Sequence, residues 1–158
     1  MQNKHLIAGA VVVLGAIAWY AFRPERLFID STVNESLAAA TPAEPVTLAQ
    51  GSFHSNAHET IGSATILSLA DGRRILRLTN FSTSNGPDVR VYLVAASDVT
   101  DDETVKTAGF VELGPMKGNK GDQNYELPAT VDLAQYRTVT IWCKRFSVNF
   151  GSAPLAAS

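Results

Sequence analysis

The stretch "DVRVYLVA", Asp88–Ala95, decides how this chain is built. Val89, Val91, Leu93 and Ala95 fall on one face of an extended strand, and Asp88, Arg90 and Tyr92 on the other. "NGP", Asn85–Pro87, turns the chain into that strand, with Gly86 expected to supply a positive φ. Upstream, "TIGSATILSLADGRRILRLTNF" is two apolar runs joined at Asp71-Gly72, a strong hairpin signal. Downstream, "GFVELG", "NYELPATVDL", "RTVTIWC" and "FSVNFG" continue the pattern. The expected fold is therefore all-β: an antiparallel sandwich of about seven to nine short strands.

The strand-rich part, residues 51–155, is long enough to bury one core of about two-thirds of its unfolded surface. Ahead of it the composition changes twice. "LIAGAVVVLGAIAWYAF", Leu6–Phe22, is uncharged and lies between Lys4 and Arg23. At about 17 residues it reaches the lower limit for spanning a bilayer, and Trp19 and Tyr20 near its end suit the headgroup region. Residues 1–23 therefore read as a signal anchor or transmembrane helix. A cleavable signal peptide ending at Ala16-Ile17-Ala18 is the alternative. The expected partner of this segment is the membrane. Residues 24–50 read as a Pro- and Ala-rich linker, with a helix entered at Pro24 and extended chain around Pro42 and Pro45. As a free coil it would hold the domain roughly 30 Å from the bilayer.

A net charge of −2 excludes a nucleic-acid binder, which needs a basic face. There is no C-x-x-C, H-E-x-x-H, G-x-S-x-G or phosphate loop, so no catalytic residue is assigned. "GPMKGNKGDQ" reads as a solvated hairpin. "SDVTDDET" reads as a solvated acidic loop without the glycine of a calcium loop. His54 and His58 lie four apart, about 13 Å along a strand and too far for one metal, so no metal site is assigned.

Cys143, the single cysteine, shares a face with Val139 and Ile141 in "TVTIWC", while Thr140 and Trp142 point away. One reading makes it a small buried hydrophobe. The other notes that Lys144 and Arg145 follow it, and that cations stabilise the reactive thiolate. If the strand continues, Lys144 points away from the thiol. No intramolecular disulfide is available, although an exposed thiol would be free to pair between chains.

Four blocks together resemble the DM-thirteen domain family: "GSFHSNAHETIGSATI", "DGRRILRLTNFSTSNGPDVRVYLV", "ELGPMKGNKGDQNYELP" and "TVTIWCKRFSVNFGSAPL". The resemblance runs from about Gly51 to Leu155. It implies an extracytoplasmic β-domain, in the periplasm or at the cell exterior, of a family thought to handle electrons beside an unidentified redox or protein partner. The family's cysteine corresponds to Cys143, and its "H-x-T-x-G" resembles His58-Glu59-Thr60-Ile61-Gly62. That cysteine has been proposed to act as a bare thiol or as a ligand to a group such as haem. In the haem version, His58 stands opposite Cys143, with Phe81, Tyr92, Trp142 and Phe146 walling the pocket. The alternative is a non-catalytic binding module, with Cys143 as packing and ligand contacts on "TNFSTSNGPD" and "GPMKGNKGDQ", including Asn85 and Asp88.

Overall fold

A computed structural model describes residues 2–22, 29–37 and 44–158. Helix α1 covers Gln2–Phe22. The strands are β1 (Val46–Ser52), β2 (His54–Ser55), β3 (Ile61–Ser68), β4 (Arg74–Ser82) and β5 (Val89–Val94). After the short helix α2 (Asp102–Thr107) come β6 (Phe110–Pro115), β7 (Gln123–Leu127), β8 (Thr138–Cys143), β9 (Val148–Pro154) and β10 (Ala156–Ala157). They form two five-stranded sheets, ordered β10-β1-β3-β4-β7 and β2-β9-β8-β5-β6. Every pairing between these strands is antiparallel. The count is ten rather than seven to nine, because β2 and β10 have two residues each and carry no readable alternation.

The period-two pattern sets the layers. Val89, Val91 and Leu93 of β5 and Val139, Ile141 and Cys143 of β8 enter one core with Ala64, Ile66, Leu76 and Leu78 of the opposing sheet. The other face of β5 and β8 is covered as well. Tyr92, Val94 and Trp142 pack with Val99 and Val105 beneath the α2 segment. That helix begins inside the stretch read as an acidic loop, Ser97–Thr104, and runs three residues past it. Asp101 caps it by accepting from the Thr104 amide at 2.7 Å, so one of those carboxylates serves the helix end.

Two glycines show how backbone demands shape the fold. Gly72 closes the β3–β4 hairpin at φ +85°, where a side chain would be strained. Gly86 does not adopt a positive φ. It is needed for room, since a Cβ there would come within 2.7 Å of Val89 Cγ2 and 3.2 Å of the Phe150 ring.

The region ahead of the sandwich departs from the linker expectation at both described places. Strand β1 begins at Val46, so "VTLAQ" belongs to the sheet; its short alternation was masked by the neighbouring Pro and Ala. Residues 29–37 contain no helix and lie against the domain. The start of the expected helix at Pro24 lies outside the described residues. In α1 the apolar side chains from Ile7 to Trp19 are left uncovered, among them Val12 at 70% and Trp19 at 62% exposure. Among the described residues, no helix is long and apolar enough to cross a membrane.

Candidate functional site

Two loops named by the sequence, Asn85–Asp88 and Pro115–Gly118, meet at one end of the sandwich. With Ile29 and Ser31 they enclose a cleft of about 490 Å³. Its apolar surface comes from Ile29, Val89 and Met116, and its polar groups from Asn85, Asp88 and Lys117. The Met116 amide donates to Val89 O at 2.9 Å, which holds the second loop beside the start of β5.

The polar groups in this cleft have partners. Asn85 Nδ2 donates to Ile29 O at 2.8 Å. Asp88 Oδ1 accepts from Arg90 Nε at 2.6 Å, and Arg90 Nη1 reaches Glu112 at 2.9 Å. The hydrogen bond that Arg90 donates to Asp88 raises the Arg90 pKa further, against the opposing effect of desolvation. Lys117 Nζ lies 2.8 Å from Glu35 and donates to Asn124 O at 2.6 Å.

Cys143 lies on the strand next to one residue of the cleft wall, Val89. It is 0% exposed and pairs across the sheet with Val89 on one side and Val148 on the other. Val89 also lines the cleft, so the cleft wall and the thiol stand on neighbouring strands. Lys144 is exposed and turns outward: its amide donates to Asp88 O at 2.8 Å, and its Nζ lies 3.3 Å from Glu112 Oε2. β8 ends at Cys143, and Lys144, the first residue of the turn, is directed to Glu112 rather than to the thiol.

The histidines part company. His54 Nε2 lies 2.9 Å from Asp98 Oδ1. The His58 ring sits on the Phe150 ring, centroids 3.9 Å apart, and Phe150 belongs to the core that holds Cys143. Thr60 and Gly62 of the same motif are structural. Thr60 is buried, its Oγ1 2.8 Å from Thr83 Oγ1. Gly62 has φ +112°, and a Cβ there would come within 2.8 Å of the β4 backbone.

The four aromatic residues expected to wall one pocket occupy three different places. Phe81 is in the core with Cys143. Tyr92 and Trp142 lie on the outer face of their sheet, where Tyr92 stacks on Phe110 at 4.3 Å. Burial, reinforced by the Glu112 carboxylate, pushes the Tyr92 hydroxyl up to about 12. Phe146 is 64% exposed in the β8–β9 turn. Alternation separates Trp142 from Cys143, and adjacency in sequence did not make them neighbours in one site.

The family model for electron transfer DM13 matches residues 52–155, about two-thirds of the chain. The chain belongs to the electron transfer DM13 family. No curated protein and no solved structure matches it. Within this DM13 domain, haem bound through Cys143 can be tested against the residues present. An axial ligand must present its donor atom to an open slot. Cys143 presents none: it is 0% exposed within the core, and the His58 ring is already packed against Phe150 of that core. The residues as arranged do not fit a haem held by Cys143. Among the described residues, no group of three His, Cys, Asp or Glu side chains is placed to hold a metal ion.

Sequence reasoning missed the contribution of Ile29 and Ser31 to the cleft, and the role of Val89 as its wall. The signal for Val89 was present in its inward place on β5. Residues 29–31 had none, because their composition resembles that of a solvated linker.

Proposed function

We propose that this DM13 domain is an electron-transfer module held outside the cytoplasm by its N-terminal helix, and that its redox partner docks at the cleft between Asn85–Val89 and Pro115–Gly118. Cys143, paired across the sheet with Val89, is the residue through which the domain's redox response runs. The observation that carries this reading is the pairing of Val89 with Cys143, which sets the family's cysteine one strand from the cleft wall. A thiol in that position is shielded from water and from irreversible oxidation, which follows access as well as thiolate character. With no prosthetic group on the sulfur and no second cysteine to pair with, the step is loss of one electron from Cys143 to the docked redox partner and of the thiol proton to solvent, giving a thiyl radical that takes both back on reduction.

The tether rests on the uncharged run Leu6–Phe22 and on the apolar side chains that α1 leaves uncovered, Ile7 and Leu14 among them. Side chains that are apolar all round a helix require an apolar surrounding. The extracytoplasmic side is the one implied by the DM13 resemblance.

The experiment is a mediated redox titration of the full chain beside Cys143→Ala. A reversible response that Cys143→Ala removes while the sheets stay folded supports the reading. A second reading is favoured by the complete burial of Cys143: a binding module that uses the same cleft, with an inert core thiol. It predicts equal responses from the two proteins.

A further inference from the structure

Residues 29–37 are held along the edge of the first sheet almost wholly by polar contacts. The amides of Ser31, Val33 and Glu35 all point into the domain. They donate to Asn119 Oδ1 at 2.7 Å, Lys120 O at 2.9 Å and Asp122 O at 2.9 Å. Thr32 bridges Lys120 in parallel, and the Lys120 amide returns to Ser31 O at 3.3 Å. Alternate amides facing inward is how an added strand pairs with a sheet edge. The strand it approaches is β7, the edge of its sheet; the Asn124 amide donates to Glu35 Oε2 at 2.8 Å.

Side chains on the domain complete the attachment. Arg77 Nη1 donates to Glu35 O at 3.0 Å, and Asn124 Nδ2 to Ser36 O at 3.0 Å. Lys117 pairs with Glu35, and Lys120 with Asp30. The domain also makes room. A Cβ on Gly118 would overlap Ser31 O and come within 2.9 Å of Val33 Cγ2. One on Gly121 would overlap Val33 O and meet Asn34 Oδ1 at 2.6 Å.

We propose that this edge is a binding site for an extended acidic peptide, filled in cis by residues 29–37. The groove reads two carboxylates five residues apart, Asp30 and Glu35, against Lys120 and Lys117. It reads the backbone between them through alternate amides. The segment lies ahead of residues 52–155, which match the family, whereas Arg77, Lys117, Gly118, Asn119, Lys120, Gly121, Asp122 and Asn124 of the groove all lie within them. The occupant contributes little apolar burial, with Ile29 60% exposed, and so it is bound by the groove more than it supports the core. Since Ile29 and Ser31 also wall the cleft, withdrawing the peptide opens that side.

The test uses the full chain, with Asp30→Lys/Glu35→Lys to repel its own segment. The probe is a labelled peptide of sequence IDSTVNESL. A tethered occupant competes at an effective concentration of about millimolar, so the double variant is expected to bind the free peptide at least about tenfold more tightly than the wild type does. A peptide with lysine at both acidic positions binds neither. Adding Gly118→Ala to the double variant, which places a methyl where Ser31 passes, abolishes binding. In the wild type, hydrogen exchange shows the Val33 and Glu35 amides protected, and the double variant loses that protection while β8 keeps its own. Free-chain exchange at Val33 and Glu35 in the wild type overturns the proposal. So does failure of a folded double variant to bind the peptide. Protection that appears only as the chain dimerises overturns the occupancy in cis.

Discussion

Replacing Cys143 by alanine or serine separates an enclosed thiol from one open to water. In Cys143→Ala the lost sulfur forfeits about 0.8 kcal/mol of transfer free energy, close to that of a methylene. The residual cavity of about 25 Å³ adds about 0.6 kcal/mol, for a total near 1.4 kcal/mol. Serine leaves part of the same gap and brings a hydroxyl in among Val89, Ile141 and Val148. A buried hydroxyl without a partner costs about 1–3 kcal/mol. Cys143→Ser is therefore expected to be the less stable of the two by about 1–2 kcal/mol, although serine resembles cysteine more closely in shape. With a urea m-value of about 1.5 kcal/mol/M, the midpoint falls by about 1 M for alanine and about 2 M for serine. The assay is equilibrium urea unfolding under reducing conditions, with m unchanged across the set. A serine variant as stable as the alanine variant refutes the reasoning, because it means water or a polar partner reaches the site.

Other consequences are equally open to measurement. Gly151→Ala drives a Cβ into Thr60 and to 2.8 Å from His54 O, so it is expected to cost about 1–3 kcal/mol in the same urea assay. The attachment of residues 29–37 depends on pH. The Asp30 carboxyl is lowered by its hydrogen bonds from Lys120 and Asn119. At Glu35, burial raises the pKa, but Lys117, the Asn124 amide and Arg77 more than offset it. Both acids are lowered on docking, so their contribution is complete above the ordinary carboxylate range and lost as pH falls through the lowered values. Exchange at Val33 and Glu35 is expected to lose protection there before β8 does, after correction for intrinsic rates. Finally, the full chain produced with haem in excess is expected to show no Soret band that disappears in Cys143→Ala; its absorption spectrum checks this.

The sandwich was legible because its signals are local. "DVRVYLVA" places Val89, Val91 and Leu93 inward, Asp71-Gly72 closes a hairpin, and the face of β8 that holds Val139 also holds Cys143. What could not be read depends on contacts distant in sequence. Nothing in "IDSTVNESL" announces an edge segment, because its partners are distant in sequence, Arg77 and Asn85 more than forty residues away and those at Lys117–Asn124 more than eighty. The two-residue strands β2 and β10 are too short to carry a pattern. The proposed aromatic pocket failed for a related reason. Residues chosen for type ignored the alternation that sends Trp142 outward while Cys143 faces in. The motif at His58 was visible, yet only coordinates show that its threonine and glycine serve close packing while the histidine ring rests on Phe150.

The most direct test of the account titrates the full chain and Cys143→Ala between fixed potentials with soluble mediators, while circular dichroism follows the sheets. A reversible redox response in the wild type, absent from a folded Cys143→Ala, is what an electron-transfer domain working through Cys143 predicts. Identical responses from the two proteins, or none from either, would contradict it and leave Cys143 as core packing one strand from the wall of a binding cleft.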